Sequence, residues 1–537
     1  MLDVLIRGGL VVDGSGNPPR HADVGLLGDR IAAVGRLAEA TAVRSVDARG
    51  KVVCPGLIDC HSHSDWSIHA NPLALSTIRQ GVTTEIVGNC GYGSAPLAGR
   101  ARATVVNRLA THAFPGPCVW TSYAEYLDAI RALGTSCNLA FLAGHNTLRE
   151  AAGITGANAD PEQQSAMERF LREALEAGAL GMSTGLEFEP GRLAPTAELE
   201  QLAVVLGEYD ALYASHIRNR DAHLQEAIDE FVRVVAAGNS PGRSLRGEVS
   251  HLNVRYGSGA PEGAWENAVA TVVCARARGL DVLADTTPYP DGIGQLAAIL
   301  PPWVKAGGPA RTAERLQDPE VRARLRGECD RYWRFIHRGE WHRVRLARNA
   351  AFPELSGLTF PEIAARRGVD EWECCFDILA AHGEGMDSLF VVGEIKADEL
   401  LVAMATHPLY NLGSDGFTST CEPGFAIPCA HPIHYAGMTH YFTHYVCDRG
   451  VLRLEEAVRK LTSMPADHFG LTDRGQLRRG CYADVVVLDL GALEEVSTVR
   501  APEAYARGVE QVWVNGASVI ADGEHLGTRP GRVLTRA

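Results

Sequence analysis

Short runs of apolar and β-branched residues alternate with segments of helical periodicity through the middle of the chain. Eight such runs occur between positions 56 and 415: GLIDCHSH, TTEIVGNC, NLAFLAGH, ALGMST, ALYASH, RGEVSH, LDVLAD and YNLGSD. Between them lie segments such as EQQSAMERFLREALEAG and AHLQEAIDEFVRVVAAG, in which apolar residues recur every three or four positions. Strands that alternate with helices eight times predict an α/β fold, the (β/α)8 barrel of the TIM type.

The two ends of the chain carry a different pattern, in which short β-rich runs are separated by glycine turns. The beginning contains VLIRGGLVVDGSG and ADVGLLGDRIAAVG, and the end contains ADVVVLDL and VEQVWVNGASVIADGEHLG. Because both ends share this pattern, we expect residues 1–57 and 470–537 to form one small β-sandwich domain. The barrel, residues 58–469, would then be inserted between them.

The seventh and eighth runs are separated by far more chain than a connecting helix requires. We therefore expect an insertion at about residues 300–370, which starts near LPPWV and partly covers the barrel mouth. Its basic and aromatic stretch, RYWRFIHRGEWHRVR, would place tryptophan and arginine side chains over a substrate. A packed lid without substrate contacts explains the same pattern equally well.

Polar or metal-binding residues close every one of the eight runs. They are His63, Cys90, His145, Thr184, His216, His251, Asp285 and Asp415. One such residue at a strand end usually caps the next helix or packs in the core. In a parallel barrel, however, all carboxyl ends of the strands face one mouth, where active sites of this fold are built. Eight such endings therefore indicate a functional site at the mouth.

Histidine nitrogens, a thiolate and a carboxylate are the donors that Zn²⁺ prefers. His61 adds an imidazole two positions before His63, and alternate residues of an extended strand point the same way. The candidate metal ligands are His61, His63, Cys90, His216, His251 and Asp415. They exceed one tetrahedral shell. We expect either two adjacent sites for zinc or a similar divalent ion, or one occupied site with catalytic histidines beside it.

The donor set also predicts a reaction. A metal ion there would bring the pKa of bound water to roughly neutral and generate hydroxide for attack on a carbonyl carbon. Asp415 is suited to act as general base and acid, which takes the proton from that water and passes it to the departing nitrogen. We therefore expect hydrolysis of an amide C–N bond.

Bulk composition restricts the partners of the protein. The 537 residues include 51 basic and 65 acidic side chains, and the formal charge of −14 leaves no basic surplus for nucleic acid or an anionic membrane. No run approaches the about 18 apolar residues of a membrane span, and the start of the chain lacks the zones of a signal peptide. The 13 cysteines without regular spacing are typical of reduced thiols. We expect a cytoplasmic protein with a small-molecule amide substrate and an oligomeric state that the sequence leaves open.

Ten motifs, taken in order, resemble the amidohydrolase superfamily and, within it, the N-acyl-D-amino-acid deacylase (D-aminoacylase) branch. They are PGLIDCHSHSD, GVTTEIVGNCG, AGHNTLR, MSTGLEFEPG, SHIR, VSHLN, LGSDG, LTSMPADHFGL, DRGQLRRGCYADVVVLD and VWVNG. The resemblance runs from residue 2 to about residue 532. It implies the same architecture, a metal-bearing barrel with a small β-sandwich made from both termini.

The resemblance further implies how the candidate ligands divide between two metal sites. Cys90 would supply the thiolate at a position where many relatives have a carboxylated lysine, and it would form a tight zinc site with His216 and His251. The other candidates would line a second, weaker site. They are His61, His63 and Asp415.

Four positions around the expected substrate pocket depart from the residues usual in the branch. Asn253 replaces a lysine, Thr287 a tyrosine and Ile433 an arginine, and Phe188 also replaces a common tyrosine. The family uses the first three around the carboxylate of the substrate. Their loss removes most of the charge-assisted hydrogen bonds that a carboxylate needs. We therefore expect an intact metal centre with a rebuilt pocket that accepts a less acidic amide.

Tyr289 and three arginines are further candidates for contacts with the substrate. Arg149, Arg218 and Arg255 would serve as replacement anchors, although an arginine in such a position is more often a surface or structural residue. Two other functions stay open. One is a hydantoinase-like hydrolase of a cyclic amide or urea, which the family motifs disfavour. The other is a non-catalytic scaffold of the same fold, which the complete ligand set disfavours.

Overall fold

The computed structural model describes residues 1–328, 334–422 and 431–536, and its largest unit is a barrel of parallel strands. The barrel strands are Leu57–Asp59, Val82–Val87, Asn138–Gly144, Gly181–Gly185, Leu212–His216, Arg246–Val249, Val282–Thr286 and Tyr410–Leu412. Each strand pairs in parallel with the next barrel strand along the chain. The predicted (β/α)8 barrel is confirmed.

The barrel closes between its eighth and first strands, just beyond their carboxyl ends. The backbone N–H of Asp415 donates to the C=O of His61 at 2.8 Å, and the N–H of His63 donates to the C=O of Gly416 at 2.7 Å. These bonds form an isolated parallel bridge between Ser62 and Gly416. Three of the predicted metal ligands therefore also supply the backbone that closes the barrel.

Side chains of the barrel strands alternate between the inside of the barrel and the surrounding helices. On the third strand, Leu139 and Phe141 belong to the large core that is shared with the helices. Ala140 and Leu142 belong instead to a smaller cluster that contains Phe469, at the end of the helix Ser463–Phe469. The two-residue period of a strand produces this division.

Helices connect the barrel strands, and both helical segments quoted from the sequence are confirmed, as Pro161–Ala177 and Leu224–Gly238. The first begins with a capping box at Asp160 and ends at Gly178 in the left-handed conformation. The other α-helices outside the long seventh connection are Leu75–Ile78, Ala101–Thr111, Tyr123–Leu133, His145–Ala151, Thr196–Glu208, Ala264–Ala277, Ile433–His440, Leu454–Lys460 and Ser463–Phe469. Among the described residues, none of the helices has both the length and the apolar character to cross a membrane.

Strands from both ends of the chain form a nine-stranded sheet. They are Leu2–Val11, Arg20–Leu27, Arg30–Gly35, Ala42–Asp47, Val52–Pro55, Val485–Leu488, Val509–Val514, Ala517–Ala521 and Glu524–His525. Val52–Pro55 joins the two halves, because it pairs in parallel with Leu2–Val11 and antiparallel with Val485–Leu488. The strands that the sequence assigned to a sandwich are therefore hydrogen-bonded into one continuous sheet. A further short strand, Val533–Leu534, pairs with the third barrel strand.

The connection between the seventh and eighth barrel strands is a long excursion, residues 287–409, with its own sheet and apolar core. Its strands Asp291–Gln295, Val344–Leu346 and Phe390–Glu394 pair antiparallel. The excursion contains the α-helices Pro302–Lys305, Pro309–Arg315, Pro319–Leu325, Phe360–Arg367, Glu371–His382 and Asp398–Thr406. The expected insertion at about 300–370 is the middle of this longer unit. Its first and last strands fall outside that span and pair with each other.

The excursion touches the barrel rim. The guanidinium of Arg338 donates to the C=O of Gly257 at 2.7 Å, in the loop that follows the sixth barrel strand. Part of the stretch that the sequence placed over the substrate, residues 329–333 with Arg331 and Trp333, lies outside the described residues.

Candidate metal centre

The structure brings all six predicted metal ligands together at the carboxyl end of the barrel. Their donor atoms form two groups, within each of which the atoms lie within 4.8 Å of one another: His61, His63, Cys90 and Asp415, and Cys90, His216 and His251. Both groups contain the Cys90 thiol. Its sulphur lies 3.4 Å from His61 Nε2, 3.6 Å from His216 Nδ1 and 3.4 Å from His251 Nε2. Nitrogen, sulphur and oxygen donors at this spacing fit one or two divalent zinc ions.

Three of these ligands have a backbone in the left-handed region. The φ angles of Cys90, His251 and Asp415 are 54°, 33° and 58°. This conformation costs energy for residues with a Cβ and recurs at functional sites, where the surrounding structure enforces it. Next to Cys90, a Cβ on Gly91 would lie 2.4 Å from the backbone nitrogen of Gly185. Only glycine therefore lets the chain turn Cys90 into the mouth.

Asp285, at the end of the seventh strand, orients two of the ligands. Its Oδ2 lies 3.1 Å from His61 Nδ1, and its Oδ1 accepts a hydrogen bond of 2.7 Å from the backbone N–H of His251. A carboxylate at Nδ1 holds a proton on that nitrogen, so Nε2 is the atom through which the ring would bind a metal ion. Nε2 of His61 is the atom that faces Cys90 and Asp415.

Glu187 orients His216 in the same way. Its Oε2 lies 2.8 Å from His216 Nε2, which leaves Nδ1 to face Cys90. Arg255 donates to both oxygens of Glu187 at 3.0 and 2.7 Å, and Arg220 donates to Oε2 at 3.1 Å. Burial alone would raise the pKa of Glu187, but attraction to Arg255 and Arg220 outweighs burial and holds it well below its usual range. Glu187 is therefore a buried anion that fixes the ring of His216.

Two of the donors, His251 and Cys90, have the protonation state that metal binding requires. Burial lowers the pKa of His251 to about 4, and the charge of Arg220, 2.9 Å from its Nδ1, adds to this effect. The ring is therefore neutral near pH 7, the form that binds metals. Burial opposes ionisation of Cys90, but attraction to the neighbouring histidines, first His61, holds the pKa of its thiol well below the usual value. The thiolate is thus available as a ligand. For His61 and His63 burial would lower the pKa, but neighbouring anions, first Asp285 for His61 and Asp415 for His63, raise it, so a bound metal ion would displace a proton from each ring.

Asp415 is the most exposed of the candidate ligands in the first group, with 34% of its side chain accessible. Its Oδ1 lies 3.1 Å from His63 Nε2 and 3.5 Å from His61 Nε2. Burial would raise the pKa of Asp415, but attraction to His251 and the hydrogen bond with His63 lower it. The side chain is therefore an ionised carboxylate at the open side of the centre.

One of the predicted substrate contacts, Phe188, packs against this cluster, and another, Thr287, binds a lysine. The ring of Phe188 packs edge-on against His216, with ring centroids 4.6 Å apart. Thr287 is buried and its hydroxyl accepts a hydrogen bond from the ammonium of Lys396.

The other three non-arginine candidates are also buried. Tyr289 donates its hydroxyl to Glu495 at 2.9 Å. Within the described ranges, Asn253 Oδ1 has no hydrogen-bond partner. Ile433 begins the helix Ile433–His440 and lines a narrow cavity with Phe417.

The three arginines that the sequence offered as substrate anchors have carboxylate partners. Arg149 donates to Glu198 at 3.2 Å, and Arg218 donates to Glu230 at 2.9 Å. Both carboxylates lie outside the metal-donor groups. Arg149 and Arg218 are therefore not retained as substrate anchors. Arg255 is at the centre, but it holds Glu187 there.

Sequence reasoning missed three residues that border the centre. Glu187 lies in the motif MSTGLEFEPG, and Arg220 lies two residues after the motif SHIR. Each is a charged residue close to the end of a predicted strand, and this position was the signal that could have identified them. Lys396 has no such signal, because 109 positions separate it from Thr287.

Replacing Cys90 by alanine should remove bound zinc, because both donor groups contain its sulphur. Metal analysis of the purified, dialysed variant measures this loss. The matched control is Cys274→Ala, which removes an exposed thiol from a barrel helix and should leave the metal content unchanged. Equal metal content in both variants would remove Cys90 from the ligand set.

The Glu187→Gln variant should weaken zinc binding by about 10- to 100-fold, the usual effect of losing a partner that orients a ligand. Competition with a chromogenic chelator measures the Kd. Glu200→Gln, which removes a carboxylate that pairs with Arg233 on the outer helices, is the control. An unchanged Kd in Glu187→Gln would show that His216 is held by other contacts.

Comparisons with known proteins agree with this geometry. The model of the amidohydrolase family matches residues 44–326 and 348–520. N-acyl-D-glutamate deacylase of Alcaligenes xylosoxydans xylosoxydans is 35% identical over 544 residues, which cover 100% of this chain and 97% of that protein.

Two solved structures are similar over the full length. A D-aminoacylase described by its binuclear metal centre has a TM-score of 0.79 and 30% identity, with 100% of both chains covered. N-acyl-D-glutamate deacylase from Bordetella bronchiseptica, in complex with zinc and a phosphonate inhibitor, has a TM-score of 0.77 and 33% identity, with 99% of both chains covered. The chain belongs to the amidohydrolase family, in the D-aminoacylase branch that its motifs indicate.

Proposed function

We propose that the protein is a zinc-dependent hydrolase that cleaves the amide C–N bond of N-acyl-D-amino acids. The observation that carries this proposal is the convergence of six donor residues on one shared thiol at the barrel mouth. The deacylases that resemble the chain over its whole length support the substrate class. The D configuration of the proposed substrate is taken from the names of these deacylases.

The donor set fits zinc in number and in chemistry. Cys90, His216 and His251 would hold one ion. The remaining three, His61, His63 and Asp415, lie on the other side of the thiol, where a second ion would bind. A zinc ion in such a site supplies Lewis acidity, which polarises a carbonyl group and lowers the pKa of water.

Asp415 is placed to move the proton in this reaction. Its ionised carboxylate faces the open side of the centre, and the contact with His63 Nε2 fixes its position. As general base, Asp415 takes a proton from the attacking water. It then delivers that proton to the amide nitrogen as the C–N bond breaks, so that the amine leaves in neutral form.

The preference for a less acidic amide, which the sequence predicted, rests on the absence of charged groups at Asn253, Thr287 and Ile433. A cation from another part of the chain weakens that argument. Lys396, from the far end of the excursion, donates to the Thr287 hydroxyl and brings an ammonium group to this position. We therefore propose the free acid as the substrate and keep the neutral amide as the competing hypothesis.

A cyclic amide and a non-catalytic role were the other functions left open. No contact in the described part of the chain favours either of them over amide hydrolysis. The full-length resemblance to deacylases and the complete donor set weigh against both.

Removing the metal should abolish hydrolysis of N-acetyl-D-amino acids, and adding zinc should restore it, because a zinc ion there would polarise the carbonyl group and lower the pKa of the attacking water. Amine release from N-acetyl-D-leucine by protein treated with a chelator, before and after zinc addition, measures this. The L enantiomer is the control for stereochemistry. Full activity in metal-free protein would rule out the mechanism.

The Asp415→Asn variant should keep its fold and lower kcat by about 10² to 10⁴, the usual contribution of a positioned proton-transfer group. Steady-state kinetics with the zinc-loaded variant measure the effect. Asp229→Asn, on the outer face of the helix Leu224–Gly238, is the matched control and should have normal kcat. Normal turnover by Asp415→Asn would assign the proton transfer to another group.

A further inference from the structure

Lys396 is a buried lysine at the root of the excursion, with 5% of its surface exposed. It lies two residues after the strand Phe390–Glu394, which pairs Glu394 with Asp291 at the beginning of the excursion. The backbone N–H of Lys396 donates to the C=O of Pro290 at 3.1 Å. This pairing returns the chain to the segment that directly follows the seventh barrel strand.

The side chain of Lys396 reaches the edge of the metal centre. Its ammonium donates to the hydroxyl of Thr287, two residues beyond Asp285, which orients His61. Burial lowers the pKa of Lys396 to about 8, while the charge of Asp415 opposes this effect. Near pH 7 the group is therefore mostly protonated, and its charge interacts with that of Asp415.

This ammonium has unused hydrogen-bonding capacity. An ammonium has three donors, and the side-chain acceptor found for Lys396 in the described residues is Thr287 alone, with no carboxylate at salt-bridge distance. The other buried lysine, Lys460, donates to the backbone carbonyls of His407 and Tyr410. A buried cation without an ion pair is unfavourable, and an anion that enters beside it relieves this cost.

We propose that Lys396 binds a carboxylate of the substrate and so selects the acid over the amide. This inference rests on the proposed deacylase function. Asn253, Thr287 and Ile433 carry no charge that could anchor a carboxylate. The proposal assigns this role to Lys396, which lies on the excursion. Asn253, buried and with an unpartnered Oδ1 in the described chain, is a neutral polar group of the same rim. Phe188, against His216, contributes apolar surface.

Two carboxylates of a substrate fit this role, the α-carboxylate and an acidic side chain. Four N-acetyl substrates separate them: the D-leucine derivative, its primary amide, the D-glutamate derivative and the D-glutamine derivative. The first pair differs only at the α-carboxyl group, and the second pair differs only at the side chain.

The test is the kcat/KM of zinc-loaded wild type and Lys396→Met for these four substrates. One charge-assisted hydrogen bond corresponds to about 10- to 150-fold in kcat/KM, and Lys396→Met should lose that factor for the acid it recognises. Its kcat/KM for the matching neutral substrate should stay within about threefold of wild type. Lys396→Arg should retain part of the preference. The control Lys305→Met, on a helix of the same excursion, should change neither value.

Loss of the preference in the leucine pair assigns Lys396 to the α-carboxylate, and loss in the glutamate pair assigns it to the side chain. Unchanged preferences in both pairs, with normal zinc content, would overturn the proposal. A wild type that prefers the neutral substrate of both pairs would also overturn it, and would support the less acidic amide. If wild type hydrolyses none of the four, the proposed function fails first and the inference fails with it.

A measurement on wild type alone covers the case in which Lys396→Met does not fold. D-Leucine and D-leucinamide, and likewise D-glutamate and D-glutamine, are compared as competitive inhibitors of hydrolysis. In at least one pair the acid should bind about tenfold more tightly, or more, because it keeps the contact with Lys396. Equal inhibition within both pairs would overturn the proposal.

Discussion

Two backbone hydrogen bonds that close the barrel, between Asp415 and His61 and between His63 and Gly416, fix the arrangement on which the site depends. Because these ligands share the closing seam, the spacing of their side chains is set by the barrel itself. The other three donors come from the ends of the second, fifth and sixth strands, which parallel pairing brings to the same rim. The convergence of the six candidate donors is therefore a direct consequence of barrel closure.

The charges around the centre are buried, so each depends on a partner. Glu187 is held by Arg220 and Arg255, and Asp285 is held by His61 and the backbone of His251. Breaking a buried pair by removing one partner typically costs about 3 to 5 kcal/mol. The same contacts turn one nitrogen of each ring inward. Stability and ligand orientation are thus coupled at this site.

The fold and the meeting of the candidate metal donors at one rim could be predicted from the sequence, because both depend on local patterns. An apolar run predicts each strand of a parallel barrel. The residue that ends the run is the one whose side chain lies at the barrel mouth, as Cys90 and His216 do. The partners of charged residues could not be predicted, because they depend on pairing through space. Glu198 and Glu230 bind Arg149 and Arg218, and nothing in the local sequence of either arginine indicates this.

The excursion also contains contacts between distant residues that local sequence patterns do not predict. Its middle was predicted from chain length, but the pairing of Asp291 with Glu394 was not, because neither short strand has a distinctive pattern. That pairing brings the ammonium of Lys396 to Thr287. Because Lys396 lies far from the motifs in the sequence, its presence there could not be predicted from the residues around the motifs. The family motifs indicated which anchors are missing, and the topology brings Lys396 to Thr287, where we propose that it replaces them.

We expect the barrel mouth to hold a zinc ion with the Cys90 thiolate and histidines as ligands. X-ray absorption spectroscopy at the zinc edge distinguishes these ligands, because sulphur and nitrogen scatterers differ in distance and amplitude. Wild type should show a sulphur shell at about 2.3 Å and a nitrogen shell at about 2.0 to 2.1 Å, and the sulphur shell should be absent from any zinc retained by Cys90→Ala. A wild-type spectrum with nitrogen and oxygen scatterers only would show that zinc binds without the Cys90 thiolate.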